Sequence, residues 1–365
     1  MSTLPRRLRG RQAGLSLIEL MISITIGLII LAGVAYVFAN TSEARRELER
    51  TSRQLENGRF AIDLLSDDLR LAGFVGELNV ASLSAGTVPA TAVPAALPDP
   101  CSVAAGDWNS AIHLHLQGYY TGTGAPAACL PAGLNVLAGT DILVVRRART
   151  CFAGSAGCGT VDNGKPYIQV SLCSGVPTTH DIGLQGTAAF ALKKKDCTAA
   201  ADKRQYYVHI YYVSTDNGAG ANVPTLKRLT FTPGSAATAT SPANFTVDPL
   251  VEGIEQFHVE YGLDTDAAGT AGYGTPDVYV NDPNDYPAGA CLAACQVANW
   301  RNVVTAHVYV VSRGLEATPG YADAKTYQLG TVTYTPASGE ARTYRRHAYS
   351  ALVRITNPAG RRDTP

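Results

Sequence analysis

The residues with metal or acid–base chemistry to offer are few and scattered. His113 and His115 stand two apart, which in a strand points both rings to one face, as a metal pair requires. No carboxylate cluster completes that site. With His180, His209, His258, His307 and His347, most of the seven histidines fall in predicted strands and read as solvent-facing. Asp264-x-Asp266-x-x-Gly269 begins like a calcium loop, but Ala268 and Thr275 stand where oxygen donors and the bidentate Glu belong. A flexible acidic turn is the preferred reading. With no His-Glu-x-x-His, phosphate loop or Gly-x-Ser-x-Gly, no metal, cofactor, catalytic residue or enzymatic activity is expected.

Eight cysteines, Cys101, Cys129, Cys151, Cys158, Cys173, Cys197, Cys291 and Cys295, offer redox chemistry instead. No Cys-x-x-Cys occurs, and Cys291 and Cys295 have no histidine within easy sequence reach, so zinc is disfavoured. An even number in an oxidising compartment reads as disulfides. About 105 pairings are open. The expectation adopted is the sequential one, 101–129, 151–158, 173–197 and 291–295.

Glu19 is the remaining anomaly. It directly precedes an uncharged run from Leu20 to Ser42, 23 residues, which at ~1.5 Å rise each exceeds the ~30 Å hydrocarbon core. Well inside a bilayer an ionised carboxylate costs on the order of 2.5–3.5 kcal/mol. Either Glu19 reaches water at the cytoplasmic interface, or it meets a cation on another subunit's helix. Residues 1–14 hold Arg6, Arg7, Arg9 and Arg11 and no acid, so this end stays cytoplasmic and the rest is exported. The small residue Gly14 lies before the apolar run, so a cut there would leave the helix on the mature chain.

Gly14-Leu15-Ser16-Leu17-Ile18-Glu19 resembles the class III signal of type IV prepilins, which a membrane-embedded prepilin peptidase cuts after the Gly and N-methylates at the new first residue. The resemblance implies cleavage between Gly14 and Leu15, N-methylation of Leu15, and pairing of Glu19 with the amino terminus of a neighbouring pilin. Leu15 departs from the Phe usual in the family, and keeps its bulk and apolarity.

The elements that must carry this signal follow from periodicity. Leu48, Leu55, Ile62 and Leu69 recur every seven residues with Leu65 at the complementary position, and the opposite faces carry charges such as Glu49 and Arg53. One helix is expected over 15–73, transmembrane over about 15–39 and amphipathic over about 43–72, stopped by Gly73. Gly27 and Gly33 read equally as ordinary membrane-helix glycines or as hinges. Beyond a Pro-rich loop at 79–100 the period changes to short strands at 112–116, 142–145, 167–172, 206–213, 226–231, 254–261, 303–311 and 350–355. A helix followed by many strands predicts an α+β fold, with residues 74–365 a largely antiparallel sheet domain that can leave one face wet.

The stretches Gln54 to Ile62, Asp68 to Phe74, Leu250 to Phe257, Tyr261 to Asp266, Trp300 to Val304, and Arg345-Arg346 with Val353 to Asn357 look like the PilW subfamily of minor pilins. At Gly76-Glu77 many relatives have Gly-Cys, so any disulfide the family places there is absent. The resemblance implies a type IV pilin-like fold. It also implies a complex of minor pilins that initiates the pilus and sits at its tip, for adhesion, twitching motility or DNA uptake. Implied partners are other minor pilins, the major pilin, the prepilin peptidase, the inner-membrane assembly platform and a tip adhesin. The protein would sit in the inner membrane, its carboxy-terminal domain periplasmic, and then in the pilus. Alternatives are a type II secretion pseudopilin of the J kind and an unprocessed membrane-anchored periplasmic binding domain.

Composition agrees. A chain of 365 residues, 46% hydrophobic, has enough for the helix plus one large globular domain or two small ones. Thirty Lys+Arg balance thirty Asp+Glu. Without the four leader arginines, 26 basic residues face 30 acidic, near −4, and no basic face argues for nucleic acid bound directly.

Overall fold

Helix α1, Leu17–Leu71, is the first element of the computed structural model, which describes residues 14, 16–78, 80, 93–102, 104–125, 129–130, 132–176, 178–220, 222–231 and 245–363. The chain divides into two units, Met1–Ser52 and Arg53–Pro365. In the first, α1 carries an exposed apolar surface and runs without a break through Gly27 and Gly33. Hydroxyls that could interrupt it bond back onto the turn before: Ser23 Oγ to Glu19 O (2.7 Å), Thr25 Oγ1 to Met21 O (3.0 Å) and Thr41 Oγ1 to Val37 O (2.7 Å). Each of these hydroxyls is thus satisfied inside the helix, as an apolar surrounding demands.

In the second unit, α1 buries Gln54, Gly58, Ala61, Leu65, Leu69 and Ala72, a stripe three and four apart. The expected seven-residue seam holds only at its end: Leu69 and the complementary Leu65 are fully buried and Ile62 packs against the core, whereas Leu55 is 42% exposed. A strict heptad drifts by about 20° per repeat against a straight 3.6-residue helix. The face against the sheets combines Leu65 and Leu69 with small Gly58 and Ala61, which let backbones approach. The helix ends at Gly73, whose φ of +71° suits glycine.

A seven-stranded antiparallel sheet contains β1 (Leu116–Tyr119), β2 (Ile142–Ala148), β3 (Pro166–Val170), β4 (His180–Leu184), β5 (Lys203–Ser214), β6 (Thr225–Phe231) and β7 (Phe245–Glu252). Twelve-residue β5 organises it, pairing with β2 in the register Val144↔Ile210, with β3 at its start (Ile168↔Arg204) and with β6 at its end (Ile210↔Leu229). A second antiparallel sheet has the order β13 (Arg346–Arg354), β10 (Val303–Arg313), β8 (Ile254–Leu263), β9 (Val278–Val280), with Val308 opposite Val259 and Ala351. A hairpin of β11 (Tyr327–Leu329) and β12 (Val332–Tyr334) and short helices α2 (Ala105–Ala111), α3 (Ala293–Arg301) and α4 (Thr356–Asp363) complete it.

Alternation along β2 and β5 decides the layering. Leu143, Val145, Tyr211 and Val213 join Leu65 and Leu69 of α1 and Phe257 and Val308 of the second sheet in one core. Ile142, Val144, Ile210 and Tyr212 face a second core with Trp108, Ile168 and Leu229. The central strands of the first sheet are therefore buried on both sides, where one wet face was expected; the second sheet keeps outward positions such as exposed Leu352. The strand predicted at 112–116 is another correction. Trp108 and Ala111 form the buried side of α2, Ile112 to His115 are turn and bend, and β1 starts only at Leu116. Sequence reading also missed β4, β7, β9, β11, β12 and the three short helices; most are too short to show a period of their own, and the eight-residue β7 carries Pro249, a residue that argues against a strand.

Candidate functional site

Gly14 is exposed and outside regular structure, with no atom within 4 Å of where a side chain would begin. Leu15 lies outside the described residues. The Ser16 backbone N–H donates to Glu19 Oε2 at 3.1 Å, while Leu20 N donates to Ser16 O at 3.1 Å to open α1. Ser16-x-x-Glu19 thus supplies the acidic half of a capping box, with the carboxylate at the positive end of the helix dipole. Sequence reading weighed Glu19 only against lipid and partner, and missed Ser16; the Ser-x-x-Glu spacing was the signal. Beyond it Leu17, Ile18, Met21, Leu28, Ile29 and Phe38 are all exposed, and α1 is long and apolar enough to cross a membrane by length and composition.

The second part of α1 is held by polar contacts as well as by its stripe. Gln54 Nε2 donates to Ser312 O (3.1 Å), Ser312 Oγ returns a bond to Gln54 O (3.3 Å), and Asn57 Nδ2 donates to Glu252 O (3.0 Å). At Gly58 an added Cβ would lie 2.1 Å from the Tyr349 ring. Asp68 is buried beneath β2 and β5, where Arg147 Nε (2.5 Å), His209 Nδ1 (2.7 Å) and the Tyr211 hydroxyl (2.8 Å) donate to its carboxylate. Burial would raise the Asp68 carboxyl, but the hydrogen bond and charge of His209, with those of Arg147, hold it well below the usual carboxylate range. After the helix, Glu77 pairs with Arg204 at 2.8 Å, and the Arg204 guanidinium lies 3.9 Å over the Phe152 ring.

A second buried network surrounds Arg346. Its Nε and Nη2 reach both Glu255 oxygens (2.5 and 3.0 Å) and its Nη1 reaches Asp323 Oδ2 (3.3 Å), which also accepts from the Tyr327 hydroxyl at 2.9 Å. Burial opposes the charge, but Glu255 and Asp323 keep this guanidinium more firmly protonated than an ordinary one. Trp300, fully buried, donates from Nε1 to Asn284 Oδ1 at 2.8 Å and meets Tyr261 edge-on at 4.7 Å between ring centres. The stretches that look like PilW therefore supply the joints between α1, β8, β10 and β13.

The histidines correct the sequence reading: His113, His115, His180, His209 and His258 are buried, His307 is half-buried and only His347 is exposed. They sit between packed elements, His113 and His115 in the turn before β1 and the others on strands, and polar groups meet several of the rings, as when His115 Nε2 donates to Val303 O at 2.7 Å. Burial pushes the His115 imidazole down to about 3, helped by the nearby Arg362, Arg361 and Arg146 charges. Asp264, Asp266 and Asp277 do gather, with oxygens within 4.8 Å of one another. Arg362 Nη1 (2.7 Å) and Gly274 N (2.8 Å) already donate to Asp264 Oδ2, and Thr265 N (2.7 Å) and Oγ1 (2.9 Å) to Asp277 Oδ2. The eight cysteines form Cys101–Cys129, Cys151–Cys158, Cys173–Cys197 and Cys291–Cys295.

An exposed apolar helix behind a Gly-x-x-x-x-Glu start, with an antiparallel α+β domain after it, fits a type IV pilin-like protein whose first helix is a membrane anchor. Residues 9–35 match the prokaryotic N-terminal methylation motif, and residues 210–357, from β5 to the start of α4, match type IV pilus-assembly protein W. The chain is thus similar to the PilW family over its carboxy-terminal part and to prepilins at its amino end. No curated protein matches it. Among solved structures, it is similar to a type IV-like pilin from Thermus thermophilus at 14% identity, over 60% of this chain and 80% of that one, with a TM-score of 0.25.

Proposed function

We propose that the protein is made as a prepilin and cleaved by prepilin peptidase between Gly14 and Leu15. Leu15 is then N-methylated, and the mature subunit enters a minor-pilin complex that initiates type IV pilus assembly and sits at the tip. Residues 1–14 are the leader, about 15–39 cross the inner membrane with the amino end cytoplasmic, and 74–365 form the periplasmic, later surface-exposed, domain. The work is structural rather than enzymatic: α1 supplies the buried filament core, and Glu19 sets register by pairing with a neighbour's Leu15 amine. The disulfide-tied domain offers a subunit-specific surface to other pilins, the assembly platform or an adhesin, in support of adhesion, twitching motility or DNA uptake.

The observation that carries this reading is the exposed α1 start, an accessible Gly14 and a capped Glu19 leading into an apolar helix. Intact mass and amino-terminal sequence of the protein from cells with and without the peptidase test it. A peptidase-dependent start at N-methyl-Leu15 is expected; an intact Met1, or a cut beyond residue 39, would instead make it an anchored periplasmic domain. Recovery in sheared surface filaments separates a pilus subunit from a secretion pseudopilin.

A further inference from the structure

A guanidinium lies inside the second core with a neutral amide as its side-chain partner. Strands β1, β2 and β5 are neighbours in the first sheet, and alternation turns Gln117, Arg146 and Tyr206 toward that core along with Val144 and Val208. Tyr206, opposite Ala148, is a diagonal neighbour of Arg146, and Gln117, opposite Val144, is the diagonal neighbour on the other side. None of the three is more than 3% exposed. Arg146 Nη2 donates to Gln117 Oε1 at 2.7 Å, and Gln117 Nε2 donates to the hydroxyl of half-buried Tyr119 at 2.9 Å. Arg146 Nη1 and the Tyr206 hydroxyl are buried with no partner among the described residues.

Among the described residues no carboxylate bonds Arg146. Exposed Asp99 acts on it from a distance, with its Oδ1 taken by Cys101 N at 2.8 Å. The stretches beside β1 in sequence that lie outside the described residues, 79, 81–92, 103, 126–128 and 131, hold no Asp or Glu. Burial works against the charged form of Arg146, yet a guanidinium does not give up its proton in a protein. Burial also lifts the Tyr206 and Tyr119 hydroxyls to about 12, so both stay protonated and able to donate; both feel the Arg146 charge, which places them around it. Donors thus gather at a buried positive charge without a matching acceptor. A water molecule would take the hydrogens and leave the charge, whereas an anion takes both. It must be enclosed, and a chloride ion needs about the room of one water, ~30 Å³.

We propose that Arg146 Nη1 and the Tyr206 hydroxyl, with the Tyr119 hydroxyl at the rim, hold a chloride ion in the second core. The ion bridges β1, β2 and β5 and binds the folded chain alone, because its donors come together only in the sheet. The proposal is independent of how the chain assembles.

Thermal unfolding of the full mature chain in non-ionic detergent micelles tests it, with sodium chloride and sodium bromide titrated against sodium gluconate at equal ionic strength. A ligand of the folded state raises the melting temperature in a saturable way. Both halides should do so, and gluconate, too large to be enclosed, should not. Arg146→Met fills the space without the charge and should lose the halide response. Tyr206→Phe removes only an unpartnered hydroxyl, so it serves if the first variant fails to fold; its half-saturating chloride concentration should rise about tenfold. The proposal is overturned if the wild type melts alike in gluconate and halide, or if a folded variant responds to halide as the wild type does.

Discussion

Glu19 has one contact in the subunit and a second one proposed in the filament, and two substitutions separate them. Its carboxylate accepts the Ser16 N–H in the subunit, and it is proposed to pair with a neighbour's amine in the filament. Glu19→Gln keeps an acceptor for Ser16 and removes the charge, whereas Glu19→Ala removes both. Both variants should be cleaved normally and both should enter filaments about tenfold less, the loss of one charge-assisted bond. Wild-type incorporation of Glu19→Gln would show that capping is the role. Asp68 is the opposite case, a buried charge whose partners depend on it. Asp68→Ala leaves Arg147 and His209 buried without their acceptor and should cost about 3–5 kcal/mol, read as a lower urea midpoint.

At the scale of elements, the approach of α1 to β13 turns on Gly58. Alanine there gains about 1 kcal/mol of helix propensity but drives a methyl into the Tyr349 ring, for a net loss of about 1–3 kcal/mol. Tyr349→Ala opens that space. The double variant Gly58→Ala/Tyr349→Ala should therefore be less destabilised than the sum of the singles in the same urea melts; strict additivity would contradict the close contact.

For the whole molecule, buried neutral histidines set the response to acid. Burial holds His115 at about 3 and, with the nearby His113 charge, His180 at about 4, both below the 6.5 of an exposed imidazole. Between those values the unfolded chain binds more protons than the folded one, so stability falls as pH drops from about 6.5 toward 4. Asp68, with its depressed carboxyl, adds a further loss below the usual carboxylate range near 3.8. Thermal unfolding from pH 7 to 4 should follow this slope, and His180→Gln should flatten it; a melting temperature independent of pH there would show that these rings are not held neutral.

The sequence by itself determined what is local. Gly14 to Glu19 and the run to Ser42 name a prepilin signal and a membrane-length helix, because cleavage chemistry and bilayer thickness act on contiguous residues. Short β-branched or alternating runs such as 142–145 and 303–311 announced strands for the same reason. Only the tertiary structure decided which face of α1 is buried, that β2 and β5 are covered on both sides, and that five histidines lie inside. It also brought Arg346 to Glu255 and Asp323, and Arg146 to Gln117, across tens of residues of chain. Such partners are chosen by packing between distant segments, which no window of sequence contains.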